Sequence, residues 1–405
     1  MKNTLSGNFL TFCSPLTQIK NNNQTYDFFC IMAETSDVSI TVPRPKLSWK
    51  TVLFPIVGVG AFFLYIYLFQ VDIVGIIATA RTADPLPYVA AAVLSIVEIL
   101  FYALSWRVLI NFLQVKISVI RSYLYVWYGI FIDTIIPAES VSGEAARIYL
   151  VQRDQGITSC GPTTASLVTH RLLGMALNVI VLFVGMGLLF IEGVTSGIIL
   201  NIIFALAAGI TAVLVLLIVF SFKEQWTLRV VNGVANFAQW ITRGRWKRLA
   251  KVREDACRIA SSFHDSMKKF GRNPRPLLAS LLILGLTWLF NLGTTYLVFL
   301  ALRTPVSWSM ILITTAITLA VKAIPVGIPF EVGLPEITMT TFYTSFLAPT
   351  LGLQLAASIS ATATILSRLL TLWLRFFIGL GAQQYLDLKP VIKIRANDIL
   401  KTQKT

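Results

Sequence analysis

Long apolar stretches separated by short polar connections run through most of the chain. A helix needs about 20 apolar residues to cross the hydrocarbon core of a bilayer. The stretches that approach or exceed this length are 51–71, 86–106, 166–191, 197–221, 277–302, 308–326 and 355–383. Two further apolar stretches, 122–136 and 337–348, are shorter and lie beside prolines. The pattern predicts an all-α fold, a polytopic membrane helical bundle with re-entrant or broken segments.

The composition excludes several other classes of protein. Of the 405 residues, 56% are hydrophobic and 13% are charged, whereas soluble domains carry about 25% charged residues. These values exclude a soluble enzyme, a disordered chain and a disulfide-stabilised secreted domain. The 4 cysteines form no CxxC pair, and His170 and His264 lie far apart. We therefore expect no metal and no cofactor, and we interpret His170 as a satisfied interfacial histidine.

Basic residues set the expected orientation, since lysine and arginine collect in cytoplasmic loops. The chain has 34 Lys and Arg against 19 Asp and Glu, a net charge of +15. The connection 222–276 is rich in basic residues, and so is the chain on both flanks of the apolar region. We expect a multi-pass protein of the cell membrane with both termini and 222–276 in the cytoplasm. This bias predicts eight crossings, with 122–136 entering the membrane and returning near Pro137.

Three regions differ in composition. Residues 1–45 are polar and lack periodicity, which predicts a disordered N-terminal tail. Met32 offers an alternative start, and our hypothesis is that residues 1–31 are an upstream extension of the reading frame. Residues 46–385 are predicted to form the transmembrane domain, and 386–405 a basic cytoplasmic tail.

Two interrupted segments share an order of residue types. In each, proline ends an apolar stretch, and glycine and glutamate follow near the start of the next helix. The residues predicted to shape these turns are Pro137, Gly143, Pro325, Pro329, Gly333 and Pro335. Non-helical backbone at membrane depth is tolerated only inside protein or beside a water-filled cavity, and paired interruptions point to a transport site. The alternative is that proline and glycine only shape two membrane turns.

Charged side chains inside the apolar stretches are a second signal. A central arginine costs roughly 2.5–3.5 kcal/mol on insertion scales. Glu98 and Arg368 lie in such positions, and Arg375 follows Arg368 on the same face of a regular helix. One interpretation is structural ion pairing, for example of Glu336 with Arg368. The other is a path for a headgroup, a phosphate or a proton.

The connection 247–272 is amphipathic, because its apolar residues recur at spacings of three and four. Its predicted lipid-surface residues are Lys247, Arg248, Lys251, Arg258, Lys268 and Lys269. One interpretation is a helix lying on anionic lipid, where each basic residue contributes about 1 kcal/mol. The other is a cytoplasmic helix packed over the bundle. Nucleic acid is not an expected partner, because no recognition module accompanies the charge.

Several short motifs occur in a fixed order along the apolar region. They are Gly143-Glu144-x-x-Arg147, Arg171-Leu-Leu, Pro329 with Gly333 and Glu336, and Arg368-Leu-Leu-Thr-Leu-Trp373. Over roughly 50–385, this order resembles the flippase-like membrane family that shares its fold with the membrane region of lysylphosphatidylglycerol synthases. Phe330-Glu331 stand where that family typically has two glycines, and His170 and Gly174 where it has Glu and Asp. Roles that depend on that acid pair are therefore not carried over.

The resemblance implies a flippase-like domain, and its relatives are associated with aminoacylated phosphatidylglycerol or polyprenyl-phosphate sugar pathways. Our lead hypothesis is a translocator of such an anionic lipid, with a cavity between the two interrupted segments. The predicted substrate-binding residues are Arg147, Arg171, Lys322, Arg368, Glu144, Glu331 and Glu336. The sequence shows no catalytic constellation or Gly-rich phosphate loop, so we do not expect an enzyme. The alternatives are a non-catalytic partner of a lipid-linked glycosyltransferase, a membrane-embedded transferase and a small-solute transporter.

Overall fold

The computed structural model describes residues 78, 81–136, 141–155, 160–193, 198–222, 233, 264–304, 306–322 and 332–388. Within these ranges the chain forms helices and connecting turns, with no strand. The elements are α1 Pro85–Phe112, α2 Val119–Ile135, α3 Val141–Gln155, α4 Cys160–Ile191, α5 Ile198–Phe222, α6 Arg275–Ala301, α7 Trp308–Lys322, α8 Leu334–Leu351, α9 Leu353–Arg368, a π-helix Leu369–Leu374 and α10 Arg375–Leu388. The predicted all-α fold is confirmed.

Several helical stretches are long and apolar enough to cross a membrane. Within the described ranges they are Pro85–Phe112, Gly161–Ile191, Leu200–Val219, Arg275–Ala301 and Leu353–Asp387. Each contains or overlaps a stretch predicted from the sequence, and α7 is a shorter apolar helix. The polytopic helical bundle is confirmed. The predicted stretch 51–71 and the tail 1–45 lie outside the described residues, so the count of eight crossings stays a prediction.

Helices α1 and α6 form an antiparallel pair along their whole length. At one end, the backbone N–H of Asp84 donates to the carbonyl of Ala301 at 2.8 Å. Near the other end, the Ser105 hydroxyl lies 2.7 Å from the Ser280 hydroxyl. Small side chains at such contacts let two membrane helices approach closely and form interhelical hydrogen bonds.

Helices α2 and α3 form an antiparallel hairpin, so the end of α3 lies beside the first part of α2. Near its open end, the Tyr125 hydroxyl of α2 donates to the Asp154 carboxylate of α3 at 2.5 Å. Arg121 of α2 lies 3.9 Å from the same carboxylate. The last residues of α3 also meet the end of α10, where Arg153 donates to the Leu386 carbonyl at 3.1 Å. This geometry is the one predicted for 122–136. The turn residue Pro137 lies outside the described residues.

Glycine allows the two hairpin helices to touch. A Cβ at Gly143 would overlap the Asp133 carboxylate and the Gly129 carbonyl oxygen, both on α2. We expect Gly143→Ala to lower the free energy of unfolding by about 1–3 kcal/mol, the usual range for overpacking. The matched control is Gly187→Ala on α4, where a Cβ would meet nothing within 4 Å. Thermal unfolding in detergent measures both variants, and equal melting temperatures would contradict the close approach.

The second interrupted segment ends where α8 begins. Gly333 adopts a φ of 109°, a conformation that residues with a side chain rarely adopt. Pro335 then occupies the first turn of α8, where its missing N–H has no helical partner in any case. The predicted turn residues Pro325 and Pro329 lie outside the described residues. Helix α8 ends at Leu351, just before Gly352, which also has a positive φ, and it contains the short apolar stretch 337–348.

Candidate functional site

The chain before the first interruption and the chain after the second meet inside the bundle. Phe131, near the tip of the hairpin, lies in one apolar cluster with Val332, two residues before α8. Leu372 and Phe376, from the π-helix and α10, complete the buried part of this cluster. The structure therefore brings the C-terminal part of α2, just before the first interruption, next to the beginning of α8.

A carboxylate from α2 caps the beginning of α3. Asp133 Oδ1 accepts from the Gly143 backbone N–H at 2.6 Å and from the Ser142 hydroxyl at 2.7 Å. This arrangement satisfies donors that the first turn of a helix otherwise leaves unpaired. The Asp133 carboxylate thus joins α2 to the first turn of α3.

Glu144 and Arg171, two of the predicted substrate-binding residues, join α3 to α4. Their side chains lie 3.6 Å apart. Arg171 is about one-third exposed, whereas Glu144 is more buried. Arg147 lies one turn further along α3, and its charge also acts on Glu144. The structure therefore brings three predicted binding residues together where α3 contacts α4.

Arg147 is buried, with 5% of its surface exposed. Its Nε donates to the Gly143 carbonyl in a weak 3.4 Å hydrogen bond, and its guanidinium lies 5.6 Å from the Trp106 ring of α1. Its Nη1 has no hydrogen-bond partner, and no carboxylate of the described chain forms an ion pair with it. A buried cation without an ion-pair contact is costly, so this group is suited to binding an anion.

His170 lies beside Arg147 at the interface of α1 and α4. Its ring meets Tyr102 edge-on at a centroid distance of 4.5 Å. It is 2% exposed, and its Nε2 has no hydrogen-bond partner. The sequence-based interpretation of a satisfied interfacial histidine is therefore wrong. The sequence shows a histidine directly before the Arg171 motif. It does not show that His170 is buried, because that burial depends on packing against α1.

Glu336 and Arg368, also predicted to bind substrate, form a buried ion pair. Glu336 Oε1 lies 2.5 Å from Arg368 Nε, and the two residues are 1% and 4% exposed. Glu336 Oε2 accepts from the Gly333 backbone N–H at 2.6 Å. The pair holds α9 against the start of α8, as the structural alternative predicted. A role of these two residues in binding substrate stays a prediction.

A second ion pair connects α10 with α1 and α6. Arg375 lies 2.5 Å from the Glu98 carboxylate and donates to the Ser95 hydroxyl. Asn291 of α6 donates to the same carboxylate at 3.2 Å. Arg375 thus has a different partner helix from Arg368, contrary to the expectation of a shared face. The intervening π-helix changes the spacing of side chains around the axis, since its hydrogen bonds run from i to i+5.

The remaining predicted residues lie away from these contacts or outside the described ranges. Lys322 occupies the last turn of α7, where a cation interacts favourably with the helix dipole. Glu331 lies outside the described residues, and so do the lipid-surface residues Lys247, Arg248, Lys251 and Arg258.

The end of the basic connection packs onto the bundle. In the helical segment 264–272, Met267 and Phe270 are buried against Leu109 of α1 and Ala165 of α4. The Thr169 hydroxyl lies 3.2 Å from the Met267 sulfur, while Lys268 and Lys269 are exposed. The contacts of this segment agree with the second interpretation, in which the helix packs over the bundle.

These features define a class of protein: a polytopic helical membrane bundle with a helical hairpin and buried charged side chains. The chain belongs to the family described as the lysylphosphatidylglycerol synthase TM region, whose model matches residues 53–379. The family predicted from the sequence motifs is confirmed.

Similar proteins come from three archaea. A UPF0104 membrane protein of Pyrococcus horikoshii is 22% identical over 322 residues, which cover 79% of this chain and 93% of the relative. A UPF0104 membrane protein of Methanothermobacter thermautotrophicus is 22% identical, with coverages of 75% and 87%. A third, from Methanocaldococcus jannaschii, is 24% identical, with coverages of 75% and 86%.

Proposed function

We propose that this protein translocates a lipid with an anionic phosphate headgroup across the membrane. The observation that carries the proposal is Arg147, a buried cation whose Nη1 has no partner. Charge-assisted hydrogen bonds from arginine to phosphate are among the strongest in proteins. Family membership supports a lipid-related role in the membrane. The candidate cargoes are an anionic phospholipid and a polyprenyl-phosphate-linked sugar.

The position of Arg147 suits a headgroup that enters from one side. Arg147 precedes Asp154, at the open end of the hairpin, by seven residues, or about 10 Å along the axis of α3. A phosphate at Arg147 would therefore lie deeper in the bundle than the open end of the hairpin. Arg171 is partly exposed and paired with Glu144, so it is placed to receive the phosphate before or after Arg147.

The other predicted functions keep their status as hypotheses. A partner of a lipid-linked glycosyltransferase would use the basic connection as its docking surface. A membrane-embedded transferase would use an acidic side chain as a base. The buried carboxylates Glu98 and Glu336 are both held in ion pairs, which leaves them poorly placed for that role.

The orientation is part of the proposal, with the end of α1 and the segment 264–272 on the cytoplasmic side. We expect cysteines placed at the exposed positions Gln114 and Lys269 to react with an impermeant maleimide only from the cytoplasm. A cysteine at Thr350, near the end of α8, is expected to react only from the opposite side. The measurement uses a background without the native cysteines Cys13, Cys30, Cys160 and Cys257. Labelling of Gln114→Cys and Thr350→Cys from the same side would contradict the orientation.

Reconstitution into liposomes tests the function directly. Fluorescent phosphatidylglycerol and a short fluorescent polyprenyl-phosphate sugar would be incorporated separately, and the fraction of label accessible to an impermeant quencher would be followed over time. We expect the protein to move at least one of these lipids faster than empty liposomes do. Rates equal to those of empty liposomes for both lipids would overturn the proposal.

A further inference from the structure

Three buried polar side chains on α4 have polar atoms without hydrogen-bond partners. They are Thr163, His170 and Asn178, which are 0%, 2% and 5% exposed. The unpartnered atoms are Thr163 Oγ1, His170 Nε2 and Asn178 Oδ1. The spacings of seven and eight residues place all three on one side of the helix. We call this set the α4 polar line.

Some other buried hydroxyls in the bundle find partners, whereas those of Thr314, Thr318, Ser360 and Ser367 do not. Thr287 and Thr294 of α6 donate to the carbonyls of Ile283 and Phe290, four residues earlier. Ser166, beside the α4 polar line, donates to the Thr163 carbonyl and accepts from the Trp106 indole. Buried polar atoms in native proteins are nearly always satisfied by protein, water or ligand. We therefore expect the unpartnered atoms of the α4 polar line to face water or a ligand.

The middle of the line borders open space. A Cβ added at Gly174, between His170 and Asn178, would meet nothing within 4 Å. The residues 171–177 are all half-buried, in contrast to both flanks of this stretch. From Thr163 to Asn178 the line extends about 22 Å along the axis, most of the roughly 30 Å hydrocarbon core.

The line lies next to the proposed phosphate site. Trp106, whose ring faces Arg147, donates its indole N–H to Ser166 on α4. Tyr102, one turn before Trp106, packs against His170. A headgroup with its phosphate at Arg147 would therefore have its distal part beside the α4 polar line.

The chemistry of the line favours an uncharged headgroup. Threonine, asparagine and histidine side chains offer hydrogen-bond donors and acceptors. The nearest carboxylates that the structure describes are engaged, Asp133 in capping α3 and Glu144 with Arg171. A headgroup ammonium would thus find no free carboxylate there among the described residues, whereas hydroxyl groups would match the unpartnered atoms.

We infer that the α4 polar line binds the hydroxyl groups of a polyol headgroup as its lipid moves past Arg147. The inference rests on the proposed translocation and adds the chemical class of the cargo beyond its phosphate. Glycerol and sugar headgroups share this chemistry.

The experiment compares lipids that differ only in hydroxyl groups. Phosphatidylglycerol would be paired with phosphatidylpropanol, and a polyprenyl-phosphate hexose with its cyclohexyl counterpart, in proteoliposomes of the full chain. We expect the polyol member of at least one pair to move faster, by about two- to tenfold for each hydrogen bond gained. The pair that shows the preference identifies glycerol or sugar as the source of the hydroxyls.

Variants of the α4 polar line test whether its side chains cause the preference for the polyol lipid. Thr163→Val and Asn178→Leu keep the shape of each side chain and are expected to reduce the preference without lowering the melting temperature. Thr294→Val is the matched control, since its hydroxyl already donates to Phe290, and is expected to leave the preference unchanged.

Each other outcome overturns a defined part of the inference. Equal rates for both members of both pairs would overturn the polyol headgroup while leaving phosphate-lipid translocation in place. A preference that survives both α4 variants would overturn the assignment to the α4 polar line. Movement of none of the four lipids would overturn the proposed function and the inference together.

Discussion

Replacing Arg147 with glutamine is expected to lower lipid translocation about tenfold or more without lowering the stability of the protein. A hydrogen bond to a charged group contributes about 1.5–3 kcal/mol, and Arg147 has an unpartnered Nη1 to supply it. The same buried charge has no ion-pair partner among the residues that the structure describes, so its removal relieves an unfavourable desolvation. Translocation in proteoliposomes and thermal unfolding in detergent measure the two effects.

Arg153→Gln on the same helix is the matched control. Arg153 lies 3.7 Å from the Asp387 carboxylate and donates to the Leu386 carbonyl, so its loss is expected to lower the melting temperature. We expect its effect on translocation to follow its effect on the amount of folded protein. A variant Arg147→Gln that melts lower than wild type and still moves lipid would show that Arg147 is structural.

Breaking the Glu336–Arg368 pair is expected to cause the largest loss of stability. Removal of one partner from a buried ion pair typically costs about 3–5 kcal/mol, because it leaves an uncompensated buried charge. Both residues are almost fully buried, so Glu336→Gln and Arg368→Met are each expected to destabilise by this amount. Unfolding by denaturing detergent provides the measurement.

The double variant Glu336→Gln with Arg368→Met separates pairing from other effects. Because no unpaired charge remains, we expect it to recover much of the stability that either single variant loses. The glutamine can still accept from the Gly333 backbone N–H, which caps α8 in the wild type. Single-variant losses that simply add in the double variant would contradict a coupled pair. Recovered stability without recovered translocation would assign the charges a role in transport as well.

The helical architecture was predictable because membrane insertion leaves a strong sequence signal. Stretches of about 20 apolar residues satisfy their backbone hydrogen bonds only as helices, and 86–106 and 277–302 became α1 and α6. The hairpin was predicted from the length of 122–136 and from loop charge. That stretch is too short to cross, and the basic residues before and after it predict loops on the same side of the membrane. The π-helix was not predictable, because Leu369–Leu374 has an ordinary apolar sequence.

The partners of buried charges were harder to predict than their presence. We predicted a pair of Glu336 with Arg368 as one example from the sequence. Nothing in the sequence indicated that Glu98 pairs with Arg375. That second pair depends on the packing of α1 against α10 and on the π-helix that reorients Arg375. The motif Gly143-Glu144-x-x-Arg147 marked Arg147 as a candidate. Its unpartnered Nη1 depends on which neighbours the fold supplies.

The most direct test of a phosphate site at Arg147 is the coupling between this side chain and the phosphate charge. We would measure translocation by wild type and Arg147→Gln of a fluorescent phosphodiester lipid and of its uncharged methyl phosphotriester. We expect the substitution to slow the phosphodiester about tenfold or more and to have little effect on the triester. Equal slowing of both lipids would contradict this expectation, because Arg147 would then act on transport without recognising the phosphate charge.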